Sequence, residues 1–246
     1  MVPMPASRIR PRVTPSRMVP LLMLGIAVVA AAAGPHRATG TIRGRVRFLD
    51  TPSAVDHRPN VSELGAPLAH DAPDRPHAVV YLESRPQQAF DEAPPPGHAR
   101  MDQHNEQFVP RVLAIVQNTV VDFPNSDATF HNVFSLSKGN NFDLGRYPKG
   151  AVKSWRFKTP GIVSVSCDIH AHMRAYILVF SHAFFGVTRD DGRYEISDVP
   201  PGSYTLLAWS EFGRPDPKRV TVTDLGLVEV DFEIGRGSGA APMLPR

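Results

Sequence analysis

Four side chains in this sequence combine metal-binding chemistry with a compact spacing. Cys167, His170 and Met173 fall in the run CDIHAHM, and His131 lies upstream in the run FHNV. A thiolate, two imidazoles and a thioether form a soft, mixed donor set that suits copper cycling between Cu(I) and Cu(II). Two His and one Cys with a distant axial Met are typical of blue-copper electron-transfer sites. The sequence therefore predicts one copper ion held by these four residues.

Short β-strand patterns surround the candidate ligands. The CDIHAHM run lies between strand candidates Gly161–Ser166 and Ala175–Phe180, which makes it a loop, and His131 opens a third candidate that ends at Leu136. Three ligands from one tight loop and one from a neighbouring strand can surround an ion. The other strand candidates are residues 41–48, 77–83, 108–116, 119–123, 152–158, 193–196, 204–209, 219–223 and 227–232. Many short strands without a helical period predict an all-β fold of the sandwich or barrel class.

The cysteine count excludes several other kinds of site. A single Cys cannot form an intrachain disulfide, a four-Cys iron–sulfur cluster, or a Cys₄ or Cys₂His₂ zinc site. A lone thiol in an oxidising compartment is a liability unless it is buried or bound to a ligand. We therefore expect Cys167 to be buried or bound to a ligand.

The N-terminal region has the pattern of a secretory signal peptide over residues 1–33. Four arginines precede the apolar, charge-free run Met18–Ala33, which ends in small residues. Its removal would leave 23 basic against 24 acidic residues, so the net charge of +3 would disappear. A nucleic-acid partner then loses its electrostatic support, because phosphate binding needs a clustered basic surface. We expect a periplasmic or secreted protein with no nucleic-acid partner, and with a membrane attachment only if the signal is uncleaved.

The candidate ligands lie in a sequence context that resembles the cupredoxins, most closely the amicyanin-like and plastocyanin-like blue copper proteins. The likeness covers roughly residues 101–182 and includes the runs FVP, TVVDFPNSD and HNV as well as the Cys-x₂-His-x₂-Met loop. The resemblance implies a cupredoxin Greek-key β-sandwich over residues 99–182. It also implies that His131, Cys167 and His170 are equatorial ligands, that Met173 is axial, and that the backbone N–H of Asn132 hydrogen-bonds the thiolate.

The loop departs from the amicyanin-like pattern at Ala171 and His172, where a Pro and an aromatic residue are usual. Loss of Pro should raise the conformational entropy of the loop and weaken its pre-organisation. His172 lies only two residues from His170, and we expect it to be an exposed rim residue rather than a ligand. The sequence leaves its coordination open.

The flanking segments resemble a carboxypeptidase-regulatory-like, or transthyretin-like, β-sandwich. The resemblance rests on the runs GRV, AVVYL, DDGRY and VPPGSYTL. It implies a split module with its first strands in residues 40–84 and the remainder in residues 184–235, followed by a disordered tail over residues 236–246. Residues 77–83 could instead pair with the cupredoxin unit.

The ligand set and the resemblance together predict a single-electron carrier rather than an enzyme. The partner expected for such a carrier is another redox protein, such as a cytochrome or a dehydrogenase. The alternatives are a copper chaperone or storage protein, a non-redox scaffold or adhesion module, and a small copper oxidase.

Overall fold

The structure, a computed structural model, is all-β over the residues that it describes, which are 38–49, 76–87 and 97–235. The predicted fold class is therefore confirmed. The signal peptide predicted over residues 1–33 and the disordered tail predicted over residues 236–246 lie outside the described residues. The strands are β1 (Gly40–Phe48), β2 (Val79–Leu82), β3 (His98–Arg100), β4 (Asp102–His104), β5 (Gln107–Val109), β6 (Val112–Val116), β7 (Val120–Pro124), β8 (His131–Ser137), β9 (Asn140–Tyr147), β10 (Val152–Arg156), β11 (Gly161–Ser166), β12 (Arg174–Phe180), β13 (Phe185–Val187), β14 (Arg193–Val199), β15 (Gly202–Trp209), β16 (Lys218–Val222), β17 (Leu227–Glu229) and β18 (Phe232–Ile234).

The middle of the chain forms what we call the site sandwich. A five-stranded sheet with the order β6-β12-β11-β8-β9 faces a three-stranded sheet with the order β10-β7-β3, and β4 and β5 form a separate hairpin. Phe123 of β7 and Phe142 of β9 meet in the core at 6.3 Å between ring centroids. Cys167 and Met173 belong to the same buried cluster. The candidate ligands therefore lie at the edge of a packed apolar core.

The first and last described segments form a second pair of sheets, the flanking sandwich. One sheet has the order β14-β1-β17, with β18 also paired to β1, and the other has the order β13-β2-β15-β16. Strand β2 pairs with β13 and β15 and not with any strand of the site sandwich. The strand within residues 77–83 therefore belongs to the flanking sandwich. Its core includes Ile42, Val80, Ile196 and Leu206.

Strands β2, β12 and β15 are apolar on both faces, and this joins the two sandwiches. Successive side chains of a strand point to opposite sides of its sheet. In β12, Ile177 packs into the core of the site sandwich, whereas Phe180 packs into a further cluster with Tyr81 and Trp209 of the flanking sandwich. The Phe180 ring lies 5.0 Å from Tyr81 and 4.7 Å from Phe185. One shared apolar layer thus connects the two sandwiches.

Several predicted strand boundaries were wrong. The single strand expected over residues 108–116 is divided into β5 and β6 around Pro110, whose ring removes a backbone donor. The strand expected over residues 227–232 is interrupted before Phe232. Strand β9 was missed because Asn, Asp and Gly are poor strand formers, and its pairing with β8 outweighs that local preference. Among the described residues, none forms a helix long and apolar enough for a membrane crossing.

The shared apolar layer predicts a large stability loss on truncation of Phe180. Phe180→Ala should lower the free energy of unfolding by about 3–5 kcal/mol, because it leaves a cavity between Tyr81 and Phe185. Urea denaturation followed by tryptophan fluorescence measures this change. Leu136 is 78% exposed, so Leu136→Ala is a matched control that should change stability by no more than about 0.5 kcal/mol. A similar loss in both variants would contradict the role given to Phe180.

Candidate metal centre

Strand pairing brings the candidate ligands together. Cys167 directly follows β11, the ligand loop turns back, and β12 begins after Met173, with Ser166 opposite Arg174 in the register. Strand β8 runs antiparallel to β11 on its other side and begins at His131. The start of β8 therefore lies beside the end of β11.

Three donor atoms converge at this end of the sheet. His131, Cys167 and His170 each present one ligand atom, and the three atoms lie within 4.8 Å of one another. Nδ1 of His131 lies 3.1 Å from Nδ1 of His170, which in turn lies 3.9 Å from Sγ of Cys167. His131 is completely buried, Cys167 is buried, and the His170 side chain is 18% exposed. The structure thus brings together three of the four predicted ligands as a compact His-Cys-His cluster.

Backbone hydrogen bonds shape the loop that carries Met173. The N–H of Met173 donates to the carbonyl of His170 at 3.0 Å, and the N–H of Cys167 donates to the carbonyl of Met173 at 3.3 Å. The Met173 side chain is buried in the core cluster that contains Cys167. The backbone N–H of Asn132 lies 3.5 Å from Sγ of Cys167, as expected for a donor to a thiolate.

Strand β9 supports the site from the outside. The Asn132 side chain donates to Asp143 at 2.7 Å, and this carboxylate also accepts the N–H of Gly145. Arg146 donates to Asp168, the residue after Cys167, at 3.0 Å. The residues that directly follow His131 and Cys167 are therefore both attached to a strand that was not predicted from the sequence.

Two carboxylates at the site were also missed by the sequence analysis. Asp127 accepts a hydrogen bond from Nε2 of His131 at 2.8 Å. A carboxylate on the outer nitrogen of a ligating His fixes the tautomer and orientation of the ring. Glu106 lies 3.8 Å from Nε2 of His170 and 3.4 Å from Nε2 of His172. Asp127 lies four positions before His131, which was a usable signal, whereas nothing in the local sequence singles out Glu106.

The other histidines near the site are not part of the cluster. The His172 side chain is 47% exposed and faces Glu106. The His104 side chain is 54% exposed and lies 3.9 Å from Asp127. His182 is buried in the adjoining region, where its Nδ1 accepts the N–H of Phe184, and burial lowers its pKa to about 4.

The surroundings of Cys167 favour its thiolate form. Burial raises the pKa of the thiol, but the His131 imidazole and the N–H groups of Asn132, His170 and Ile169 lower it more, to about 6. Burial lowers the pKa of His131, and the opposing effects of Cys167 and Asp127 raise it above its ordinary value. A thiolate is the form of Cys that binds metals. The surroundings of Cys167 therefore favour the form of its side chain that can bind a metal.

The donor set fits copper. Two imidazole nitrogens and one thiolate are ligands of copper and of zinc, and a thioether nearby favours copper. The nearby Met173 is buried with Cys167, so a soft fourth donor is available in the same part of the core.

Comparison with solved structures finds copper proteins that match about one third of the chain. An amicyanin variant with Cu(I) is 19% identical, with 34% of this chain and 82% of that chain covered and a TM-score of 0.32. A purple cupredoxin from Nitrosopumilus maritimus is 20% identical, with coverages of 33% and 99% and a TM-score of 0.31. A Cu-containing nitrite reductase from Thermus scotoductus is 24% identical, with coverages of 36% and 23% and a TM-score of 0.33. The sequence matches no protein-family model and no curated protein. At these values the likeness says nothing about the ligands or activity of this chain.

The electrostatics of the cluster predict an acidic thiol in the metal-free protein. Cys167 should titrate with a pKa of about 6, against about 8.5 for a free Cys. His131→Gln should raise this pKa towards or above the ordinary value, because burial then opposes ionisation without the imidazole. Thiolate ultraviolet absorbance as a function of pH measures both. His77→Gln, which lies next to β2 of the flanking sandwich, is the control and should leave the pKa of Cys167 unchanged. An unchanged pKa of Cys167 in His131→Gln would contradict the stabilisation of the thiolate by His131.

Proposed function

We propose that this chain is a type 1 copper protein that carries single electrons between redox partners. The observation that supports the proposal is the convergence of Sγ of Cys167 with Nδ1 of His131 and of His170. Met173 completes the proposed set, since it lies in the same loop and the same buried cluster as Cys167. Bound copper would supply one-electron chemistry by alternating between Cu(I) and Cu(II).

The protein residues have two tasks in this proposal. The first is to keep the donors in place, which the β8–β11 pairing and the backbone hydrogen bonds of the loop do. The second is to exclude water from the thiolate, which the burial of Cys167 and His131 achieves. Donors that are already in position move little when the ion changes charge, and this favours electron transfer over slow rearrangement.

His170 is the proposed route for electrons. It is the most exposed of the three clustered residues, and its Nε2 faces outward to Glu106. A redox partner such as a cytochrome or a dehydrogenase would approach this edge. The signal-peptide pattern supports a periplasmic or secreted location, with a membrane attachment only if residues 1–33 are retained.

The remainder of the chain is proposed to be a carboxypeptidase-regulatory-like module divided by the copper domain. The grouping of sheets supports this division, because β1 and β2 pair with β13 to β18 and not with the intervening strands. In this proposal residues 40–84 and 184–235 form the module and residues 99–182 form the cupredoxin domain. The module contributes no ligand to the proposed site.

The proposed site predicts an intense visible absorption band when the purified full-length chain is loaded with Cu(II). Thiolate-to-copper charge transfer requires Cys167, so Cys167→Ser should abolish the band, whereas His98→Gln, at an exposed position on β3, should retain it. Visible absorption and EPR measure the outcome. A wild-type chain that binds copper without the band would indicate a copper chaperone or storage protein, and a chain without stoichiometric copper would indicate a scaffold. Either result would overturn the proposal.

A second prediction separates a carrier from a small copper oxidase. Met173→Leu replaces the thioether with a hydrocarbon of similar size, which should raise the reduction potential because a donor to Cu(II) is lost. Cyclic voltammetry measures the potential, and an oxygen electrode records consumption with a reductant. Catalytic oxygen consumption that persists in Met173→Leu would favour the oxidase, because an oxidase requires an exchangeable coordination position on the metal.

A further inference from the structure

The two imidazoles of the cluster are arranged alike, with one nitrogen inward and one outward. Their Nδ1 atoms face each other at 3.1 Å. Their Nε2 atoms each face a carboxylate: Asp127 at 2.8 Å from His131 and Glu106 at 3.8 Å from His170. The first of these contacts is a hydrogen bond, and the second is within the range of a charge interaction.

The two carboxylates are connected through one tight turn. Residues 104–107 join β4 to β5, and both central residues, Asn105 and Glu106, have positive φ angles of 51° and 53°. This is the backbone of a two-residue hairpin turn, in which glycine is usually preferred. Asp127 accepts the N–H of Asn105 at 2.7 Å and that of Glu106 at 2.9 Å. The carboxylate that holds His131 therefore also holds the turn from which Glu106 extends.

Glu106 contacts the ligand loop at two positions. Its two carboxylate oxygens lie close to different rings, Oε1 to Nε2 of His170 and Oε2 to Nε2 of His172. The side chain of Glu106 is 19% exposed, so its position is restricted by its surroundings. His172, which the sequence analysis expected to be an exposed rim residue, is thus a point at which the loop is held.

We propose that Glu106 is a positioning residue of the metal centre. Its carboxylate holds the ring of His170 at the outer nitrogen, Nε2, and through His172 it restrains the end of the loop before Met173. Its negative charge also lies near the outer N–H of a ring whose other nitrogen faces the metal site. A negative charge there stabilises Cu(II) more than Cu(I), because the oxidised ion carries the larger positive charge.

This inference rests on the proposed copper site, and its test uses the full chain in both metal-free and copper-loaded forms. Glu106→Gln keeps the size of the side chain and removes its charge. We expect the variant to bind Cu(II) about 10-fold more weakly relative to Cu(I) than wild type does; removal of a hydrogen-bonded partner of a ligand costs about 10- to 100-fold in metal affinity, and the lower end applies because Glu106 lies beyond hydrogen-bond distance, at 3.8 Å from His170. For a one-electron couple this corresponds to a rise of about 59 mV in the reduction potential.

A second measurement does not depend on copper. Backbone amides of residues 167–173 in the metal-free protein should exchange with solvent faster in Glu106→Gln than in wild type, because the loop loses one of its contacts. Glu229→Gln is the matched control. Glu229 forms an exposed ion pair with Arg43 in the flanking sandwich, so its neutralisation should change neither the potential nor the exchange of the loop.

The outcomes distinguish this inference from the proposed function. A rise in potential together with faster loop exchange, both absent in Glu229→Gln, would support the role of Glu106. A wild-type protein that binds copper while Glu106→Gln shows either an unchanged potential or unchanged exchange would overturn it. A wild-type protein that binds no copper would overturn the proposed function, and the exchange measurement would still decide whether Glu106 holds the loop.

Discussion

The antiparallel register between β8 and β11 is the constraint on which the site depends. Ser166 lies opposite Phe134, and this pairing places the start of β8 beside the end of β11. A slip of one residue would turn every side chain of β8 to the other face of the sheet. His131 would then leave the core, and its Nδ1 would no longer face the Cys167 loop. The convergence of the three donor atoms therefore depends first on the register of the sheet and only then on the conformation of the loop.

The site sandwich maintains this register because it is packed on both sides of its larger sheet. One face of β12 covers the core that contains Cys167, and the other face meets the flanking sandwich through Tyr176, Leu178 and Phe180. An ion pair between Arg111 and Glu211, at 2.6 Å, adds a polar contact between the two sandwiches. The flanking sandwich thus contributes to the rigidity of the site although it contributes no donor atom.

The candidate ligands were predictable because three of them lie in one short run and their chemistry is unusual. His131 was also within reach, since it opens a strand with a regular apolar pattern. The carboxylates were harder to predict, because Asp127 meets the turn at Asn105 and Glu106 across separations of 22 and 21 residues. Contacts of this kind depend on how β4 and β5 fold over the sheet. Strand β9 escaped prediction for a related reason, because its pairing partner and not its composition determines its conformation.

The depth of Cys167 also bears on how copies of this chain behave towards one another. Sγ belongs to a residue that is only 5% exposed and is the sole cysteine of the chain. Thiol–disulfide exchange requires direct attack by one sulfur on another. Two such proteins cannot bring their sulfur atoms into contact while folded, so oxidising surroundings should not crosslink them. Disulfide-linked dimers would thus form from unfolded chains, and their amount would measure the unfolded fraction of a preparation.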